Sequence, residues 1–262
     1  MIKVAVFGAG GRMGATVCQA VQDAPDLELV AAVDPLHAGI DLSQLGIAGS
    51  RLSISKSCDA ILDAGTDAVV DFTVTAAAHE NLKWCAANGV HAVVGTTGFS
   101  DSELARYAEM FEASDANAVI APNFTIGAVL MMRFAELAAP YFDTAEIIEL
   151  HHDKKADAPS GTAMMTARRI AAASKDWAPE PTEKVVADGA RGGSVDGIPV
   201  HSVRMRGMFA HQEVLLGVAG QTLTIRHDSF ERSAYMPGVL LALRQVGKRP
   251  GLTVGLDALL DL

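Results

Sequence analysis

Ile2-Lys3-Val4-Ala5-Val6-Phe7 runs directly into Gly8-Ala9-Gly10-Gly11-Arg12-Met13-Gly14 and then into Ala15-Thr16-Val17-Cys18-Gln19-Ala20-Val21. This stretch decides the fold. The first six residues are mostly apolar and suit a short buried strand. The glycines suit a tight turn, and the Ala/Val-rich run suits a helix. Strand, glycine loop and helix in that order form the phosphate-binding start of a Rossmann unit. Glycine lets the backbone approach a pyrophosphate, which rests on the helix N-terminus. The spacing is Gly8-x-x-Gly11-x-x-Gly14 with an extra Gly10, not the strict G-x-G-x-x-G. The glycines alone would also fit a turn in an ordinary α/β domain. The next strand, Leu27 to Val33, ends in Asp34. An acidic residue there, roughly 20 positions past the loop, is placed to accept hydrogen bonds from an adenosine ribose.

The β/α alternation continues through the first half. Ala68 to Thr73 reads as a strand and Ala76 to Asn88 as a helix closed by Gly89. His91 to Val94 is a strand ending in Gly95-Thr96-Thr97-Gly98. Ser100-Asp101-Ser102-Glu103 is a capping-box pattern, opening a helix to about Ala113. Asn117 to Ala121 is a fifth strand, ending in Pro122-Asn123-Phe124. Ligands of open parallel sheets bind beyond the carboxyl ends of the strands. The loops there are Asp71-Phe72-Thr73, Gly95-Thr96-Thr97 and Ala121-Pro122-Asn123-Phe124. Asp59, Asp63 and Asp67 read as solvated, in a stretch where Gly65 and the next strand break any helix.

The second half follows a different plan. A helix over about 126–139 and a strand over Ala145 to Leu150 precede Glu149-Leu150-His151-His152-Asp153-Lys154-Lys155-Ala156-Asp157-Ala158-Pro159-Ser160-Gly161-Thr162-Ala163. Ser160 is a strong N-cap before an Ala/Met-rich helix running to about Ala173. The loop therefore gathers proton donors beside a helix N-terminus, whose partial positive charge suits an anionic group. Taken singly, these histidines and lysines also fit a solvated loop; the Ala-Pro-Ser-Gly-Thr turn goes beyond what ending a strand requires. Trp177 to Pro199, which contains Arg191-Gly192-Gly193, reads as a mobile loop rich in Gly, Pro and charge. Strands follow at Val200 to Met205, Glu213 to Val218 and Gln221 to Arg226, close enough for antiparallel or mixed pairing. Ser229 to Val246 reads as a helix returning to the first domain.

Composition narrows the function. The 262 residues suffice for two domains with sizeable cores. A formal net charge of −10 argues against nucleic acid or an anionic membrane surface as partner, but not against an anionic metabolite. Cys18, Cys58 and Cys85 show no CxxC or metal spacing and read as reduced, buried thiols of a cytoplasmic protein. No signal peptide and no membrane span of ~20 apolar residues is expected. No metal site is expected.

Together these residues resemble the 4-hydroxy-tetrahydrodipicolinate reductase (dihydrodipicolinate reductase) family of the diaminopimelate/lysine pathway. The resemblance covers essentially the whole chain. It rests on Gly8 to Gly14, Asp71-Phe72-Thr73, Val94 to Phe99, Ala121 to Phe124 and, above all, Glu149 to Ala163. It implies an α/β fold: a Rossmann-type dinucleotide-binding domain over 1–124 and 232–262, and an α+β substrate-binding and tetramerisation domain over 125–231. It implies NAD(P)H-dependent reduction of a small cyclic dicarboxylate by a homotetramer. By position, His151 matches the family's proton donor/acceptor and Lys155 its proton donor. His152 matches a substrate contact, and Ser160, Gly161 and Thr162 match the substrate-carboxylate cradle. Gly8, Ala9, Gly10, Gly11, Arg12, Met13, Asp34, Gly95, Thr96, Thr97, Ala121, Pro122, Asn123 and Phe124 match nucleotide contacts. Thr75 departs from the family, which often has proline there. Asp34 would repel a 2′-phosphate, and Pro35 follows it where a basic residue would help NADPH. Arg12 could still hold that phosphate. NADH preference or dual use is therefore expected. Another Rossmann dehydrogenase would leave the His-His-x-x-Lys motif without a reason, and a DNA-binding sensor of NAD(H) would need a basic recognition helix.

Overall fold

The opening segment folds as its pattern dictates in a computed structural model that describes residues 1–174 and 176–260. β1 (Ile2–Phe7) buries its last four side chains, and α1 (Arg12–Asp23) starts at Gly11. A Cβ on Gly14 would lie 2.0 Å from the Gly8 carbonyl oxygen, so only glycine lets α1 lie this close to the loop. The chain continues through β2 (Leu27–Val33), α2 (Asp59–Asp63), β3 (Ala68–Asp71), α3 (Thr75–Asn88), β4 (His91–Val94), α4 (Asp101–Glu112) and β5 (Ala118–Ile120). Next come α5 (Ile126–Ala138), β6 (Thr144–His151), α6 (Gly161–Ala173), β7 (Gly193–Val195), β8 (Ile198–Arg204), β9 (Ala210–Val218) and β10 (Gln221–Ser229). α7 (Met236–Val246) and β11 (Leu252–Val254) follow, before a last 3-10 turn at Asp257–Leu259.

Two compact units result: Met1–Ile126 with Tyr235–Leu262, and Gly127–Ala234. The first holds a six-stranded sheet in the order β11-β5-β4-β3-β1-β2. All its pairings are parallel, so the carboxyl ends of the strands share one edge. Its strands are near-continuous apolar runs because helices cover both faces. Phe7, Val69, Leu82, Val94, Phe111 and Ile120 lie in one core cluster. Complete burial of a side chain such as Phe111 contributes about 1.5–3 kcal/mol. The capping box opens α4: Glu103 N–H donates to Ser100 Oγ, and Ser100 N–H donates to Glu103 Oε2 at 2.7 Å.

The second unit holds a mixed sheet in the order β10-β9-β6-β8-β7. β6 and β8 are parallel, and the other pairs are antiparallel. α6 packs against β6 and β8. Residues 221–224 of β10 are exposed.

Four expectations need correction. The stretch 177–199 is not loop throughout: Gly193–Val195 pairs with Ile198 onward around Asp196-Gly197, both at positive φ. Asp-Gly is a two-residue hairpin turn, a signal masked by the polar composition around it. Asp59–Asp63 does form one turn of helix, pinned by buried Ile61; Gly65 follows that turn and does not prevent it. No helix starts at Ser229, because the β9–β10 ladder runs to Ser229↔Ala210. α7 begins at Met236, with Pro237 in its first turn, where the missing N–H costs nothing. Cys58 is only partly buried, unlike Cys18 and Cys85; all three are free thiols.

Candidate active site

In the first unit, α1 begins without a side-chain cap and has no acidic residue in its first turn. This contrasts with α4 and α6, both capped by serine. The backbone N–H groups and positive dipole end of α1 thus lack an anion, which fits a pyrophosphate. Asp34 sits at the end of β2 and is 7 % exposed. Its Oδ2 accepts the Gly10 N–H at 3.1 Å and lies 2.9 Å from His37 Nδ1; its Oδ1 accepts the Leu36 N–H at 3.0 Å. His37 covers Gly10 so closely that a Cβ there would lie 2.2 Å from the ring. Arg12 is exposed at the first helical position. Asp34 therefore organises the glycine loop itself, with His37 against it.

The other strand-end loops are knitted together. Thr96 Oγ1 donates to the Thr73 carbonyl at 2.9 Å, and Thr75 Oγ1 donates to the Thr97 carbonyl at 2.9 Å. The non-proline residue at 75 thus anchors the Gly95–Gly98 loop with a hydroxyl. Asn123 Oδ1 accepts the Thr125 N–H at 2.8 Å. Ala9, Ala121 and Phe124 are buried, and Phe124 packs on Phe72 with ring centroids 5.8 Å apart. Such residues present backbone, not side chain, to a ligand.

In the second unit, β6 delivers Glu149 and His151 to the same face of the sheet. Glu149 is fully buried. Its carboxylate accepts two bonds from Arg204, each 2.8 Å, and the Ser160 N–H at 3.2 Å. His151 Nδ1 lies 2.5 Å from Glu149 Oε2. Burial alone would raise the Glu149 carboxyl; hydrogen bonds from His151, Arg204 and Ser202 outweigh it and hold it down to about 2. Arg204 also donates to the Asp157 carbonyl at 2.6 Å. Lys155 Nζ lies 2.7 Å from Asp157 Oδ1, and this ammonium holds the Asp157 carboxyl below its usual range. His152 is exposed, its Nδ1 accepting the Lys154 N–H. Ser160 Oγ caps α6 by accepting the Ala163 N–H, placing Gly161 and Thr162 in the first turn. No acidic residue stands in that turn.

The structure thus gathers His151, Lys155, Ser160 and the α6 terminus around one loop. Sequence reasoning missed Glu149, Arg204 and His37 as site residues. Glu149 carried a signal: Ala145, Ile147 and Glu149 alternate in phase on β6, so a charge falls on the buried face. Arg204 lies 55 positions away and has no such local signal. Among the described residues no group of three or more His, Cys, Asp or Glu side chains could hold a metal ion.

A Rossmann loop ending on an uncapped helix, and a proton-donor loop ending on an anion-ready helix, define an oxidoreductase that uses a nicotinamide nucleotide. Family models agree: one described as dihydrodipicolinate reductase, N-terminus, matches residues 2–124, and one described as dihydrodipicolinate reductase, C-terminus, matches residues 127–260. The chain belongs to the dihydrodipicolinate reductase family. It is 52 % identical to the 4-hydroxy-tetrahydrodipicolinate reductase of Mycobacterium sp. (strain KMS), with 100 % of both chains covered. It is 51 % identical to that of Streptomyces griseus, covering 100 % of this chain and 98 % of the relative. A solved structure, dipicolinate-bound dihydrodipicolinate reductase from Paenisporosarcina sp. TG-14, matches with a TM-score of 0.86 and 42 % identity over 98 % of this chain and 99 % of that one.

Proposed function

We propose that this protein reduces 4-hydroxy-tetrahydrodipicolinate to tetrahydrodipicolinate in diaminopimelate and lysine biosynthesis. The observation that carries the reading is the loop from His151 to Ser160, which unites two proton-handling side chains with a helix terminus ready for a carboxylate. The reaction removes the 4-hydroxyl as water and adds a hydride and a proton to the conjugated ring. The nicotinamide nucleotide supplies the hydride when bound. His151 gives or takes a proton. Lys155 offsets the substrate's negative charge and donates a proton. His152, Ser160, Gly161 and Thr162 hold the carboxylates. Gly8 to Met13, Asp34, Gly95 to Thr97 and 121–124 hold the nucleotide. The Met1–Ile126 unit, completed by Tyr235–Leu262, is the dinucleotide-binding domain, and Gly127–Ala234 the substrate-binding and assembly domain.

Cofactor choice follows from charge. Asp34 opposes a 2′-phosphate, while Arg12 and His37 favour one. NADH preference or dual use results. The exposed strand β10 supports a homotetramer, and three unpaired cysteines support a cytoplasmic setting. The test is a coupled assay. Purified 4-hydroxy-tetrahydrodipicolinate synthase forms the substrate in situ, and oxidation of NADH and NADPH is followed separately. Oxidation that needs both substrate and this protein supports the reading, and the two rates rank the cofactors. A folded protein that binds NADH yet oxidises neither refutes it.

A further inference from the structure

Donors from three elements converge on the buried Glu149 carboxylate: two from Arg204, the His151 ring, the Ser160 backbone and the Ser202 hydroxyl. Burying a carboxylate is costly unless its partners are fixed, so such a group is placed with tight geometry. It bridges β6, β8 and the start of α6 at once. Arg204 extends the bridge to the Asp157 carbonyl, and Asp157 holds Lys155. One connected chain, His151–Glu149–Arg204–Asp157–Lys155, therefore joins both proton-handling side chains. The remaining Arg204 nitrogen, Nε, is buried without a hydrogen-bond partner; the guanidinium pairs directly with the Glu149 carboxylate and also feels the Asp157 charge.

We propose that Glu149, clamped by Arg204, is a positioning residue that fixes the His151 ring with Nδ1–H donating inward and Nε2 offered to the substrate. This rests on the reductase reading for what His151 does, but not for how the ring is held. An ionised carboxylate only accepts, so the ring nitrogen facing it must carry a proton in both imidazole and imidazolium. Nε2 then exchanges a proton while Nδ1 does not. The other oxygen of the same carboxylate, Oε1, accepts the Ser160 N–H, so ring orientation and the α6 terminus are tied to one group. Glutamine at 149 offers either a carbonyl or an amide N–H to Nδ1 and no longer selects a tautomer.

The test uses the full chain with Glu149→Gln and, because that variant leaves the Arg204 charge buried and unpaired, also Glu149→Gln/Arg204→Gln. Far-ultraviolet dichroism and NADH affinity by tryptophan quenching establish folding. The expected result is a fall in kcat of about 10²-fold or more with KM changed by less than about tenfold, since the defect lies in proton transfer. A second readout needs no turnover. Carbethoxylation of His151 by diethyl pyrocarbonate, located by fragment masses, is followed against pH in wild type and variants. The profile is expected to differ between wild type and variants, because the carboxylate that faces Nδ1 is gone. Folded variants with wild-type kcat and an unmoved labelling profile overturn the proposal. A wild type that fails to turn over substrate while its labelling profile still moves on substitution overturns the reductase reading and leaves the positioning role standing.

Discussion

Replacing Arg204 by methionine removes the two 2.8 Å bonds that hold Glu149. The His151, Ser160 and Ser202 contacts remain, but a buried carboxylate now lacks its counter-charge. Removing one partner of a buried pair costs about 3–5 kcal/mol. The state of the Glu149 carboxyl points the same way. The Glu149 carboxyl is lowered from an ordinary 4.5 to about 2. That depression corresponds to about 3 kcal/mol near pH 7, shared among all the partners. Because the folded value lies below the unfolded one, this stability is fully present above about pH 4.5 and is lost as pH falls through about 2; around pH 3.5 roughly 2 kcal/mol remains. Arg204→Met is therefore expected to lose about 3 kcal/mol near pH 7 and distinctly less around pH 3.5. The assay is urea unfolding in a Trp84→Phe background, where Trp177 becomes the sole tryptophan and reports on the Gly127–Ala234 unit. A loss below about 1 kcal/mol, or one equal at both pH values, would refute the linkage between this ion pair and the Glu149 carboxyl.

Three further outcomes are expected. Lys155→Met should lower kcat by about 10²–10⁴-fold while NADH affinity, measured by fluorescence quenching, stays unchanged; near-normal turnover would remove Lys155 from proton transfer. Gly14→Ala places a Cβ 2.0 Å from the Gly8 carbonyl oxygen, so the loop and α1 must separate. Thermal melting should show a destabilisation of about 1–3 kcal/mol, and an unchanged Tm would contradict the close approach. Thr75→Val deletes the hydroxyl held by the Thr97 carbonyl. The exposed loop should loosen by about 1 kcal/mol, seen as a roughly fivefold weaker NADH Kd, with melting temperature as the control for global stability.

How far the sequence reveals this molecule depends on how local each determinant is. The glycine loop, the Ser100/Glu103 capping box and the Ser160 cap are decided within a few residues, and each was legible in the chain. β7 was hidden because only three residues pair across the Asp196-Gly197 turn, too few for alternation to show. β11 gave no signal for a similar reason: Leu252–Val254 is recognisable as a strand only once β5 offers it an edge. The active-site loop divides along the same line. His151, Lys155 and Ser160 lie within ten positions and announce themselves by residue type. What supports them does not, because Arg204 reaches Glu149 only through the parallel register that sets His151 beside Arg204 and Glu149 beside Ser202. A parallel pairing across an intervening helix is a non-local fact, because it needs a crossover connection that no short segment specifies. The reacting groups are therefore written in one segment, while their orientation is written in the fold. Substitutions on β8, far from the motif in sequence, should for that reason alter the chemistry of His151.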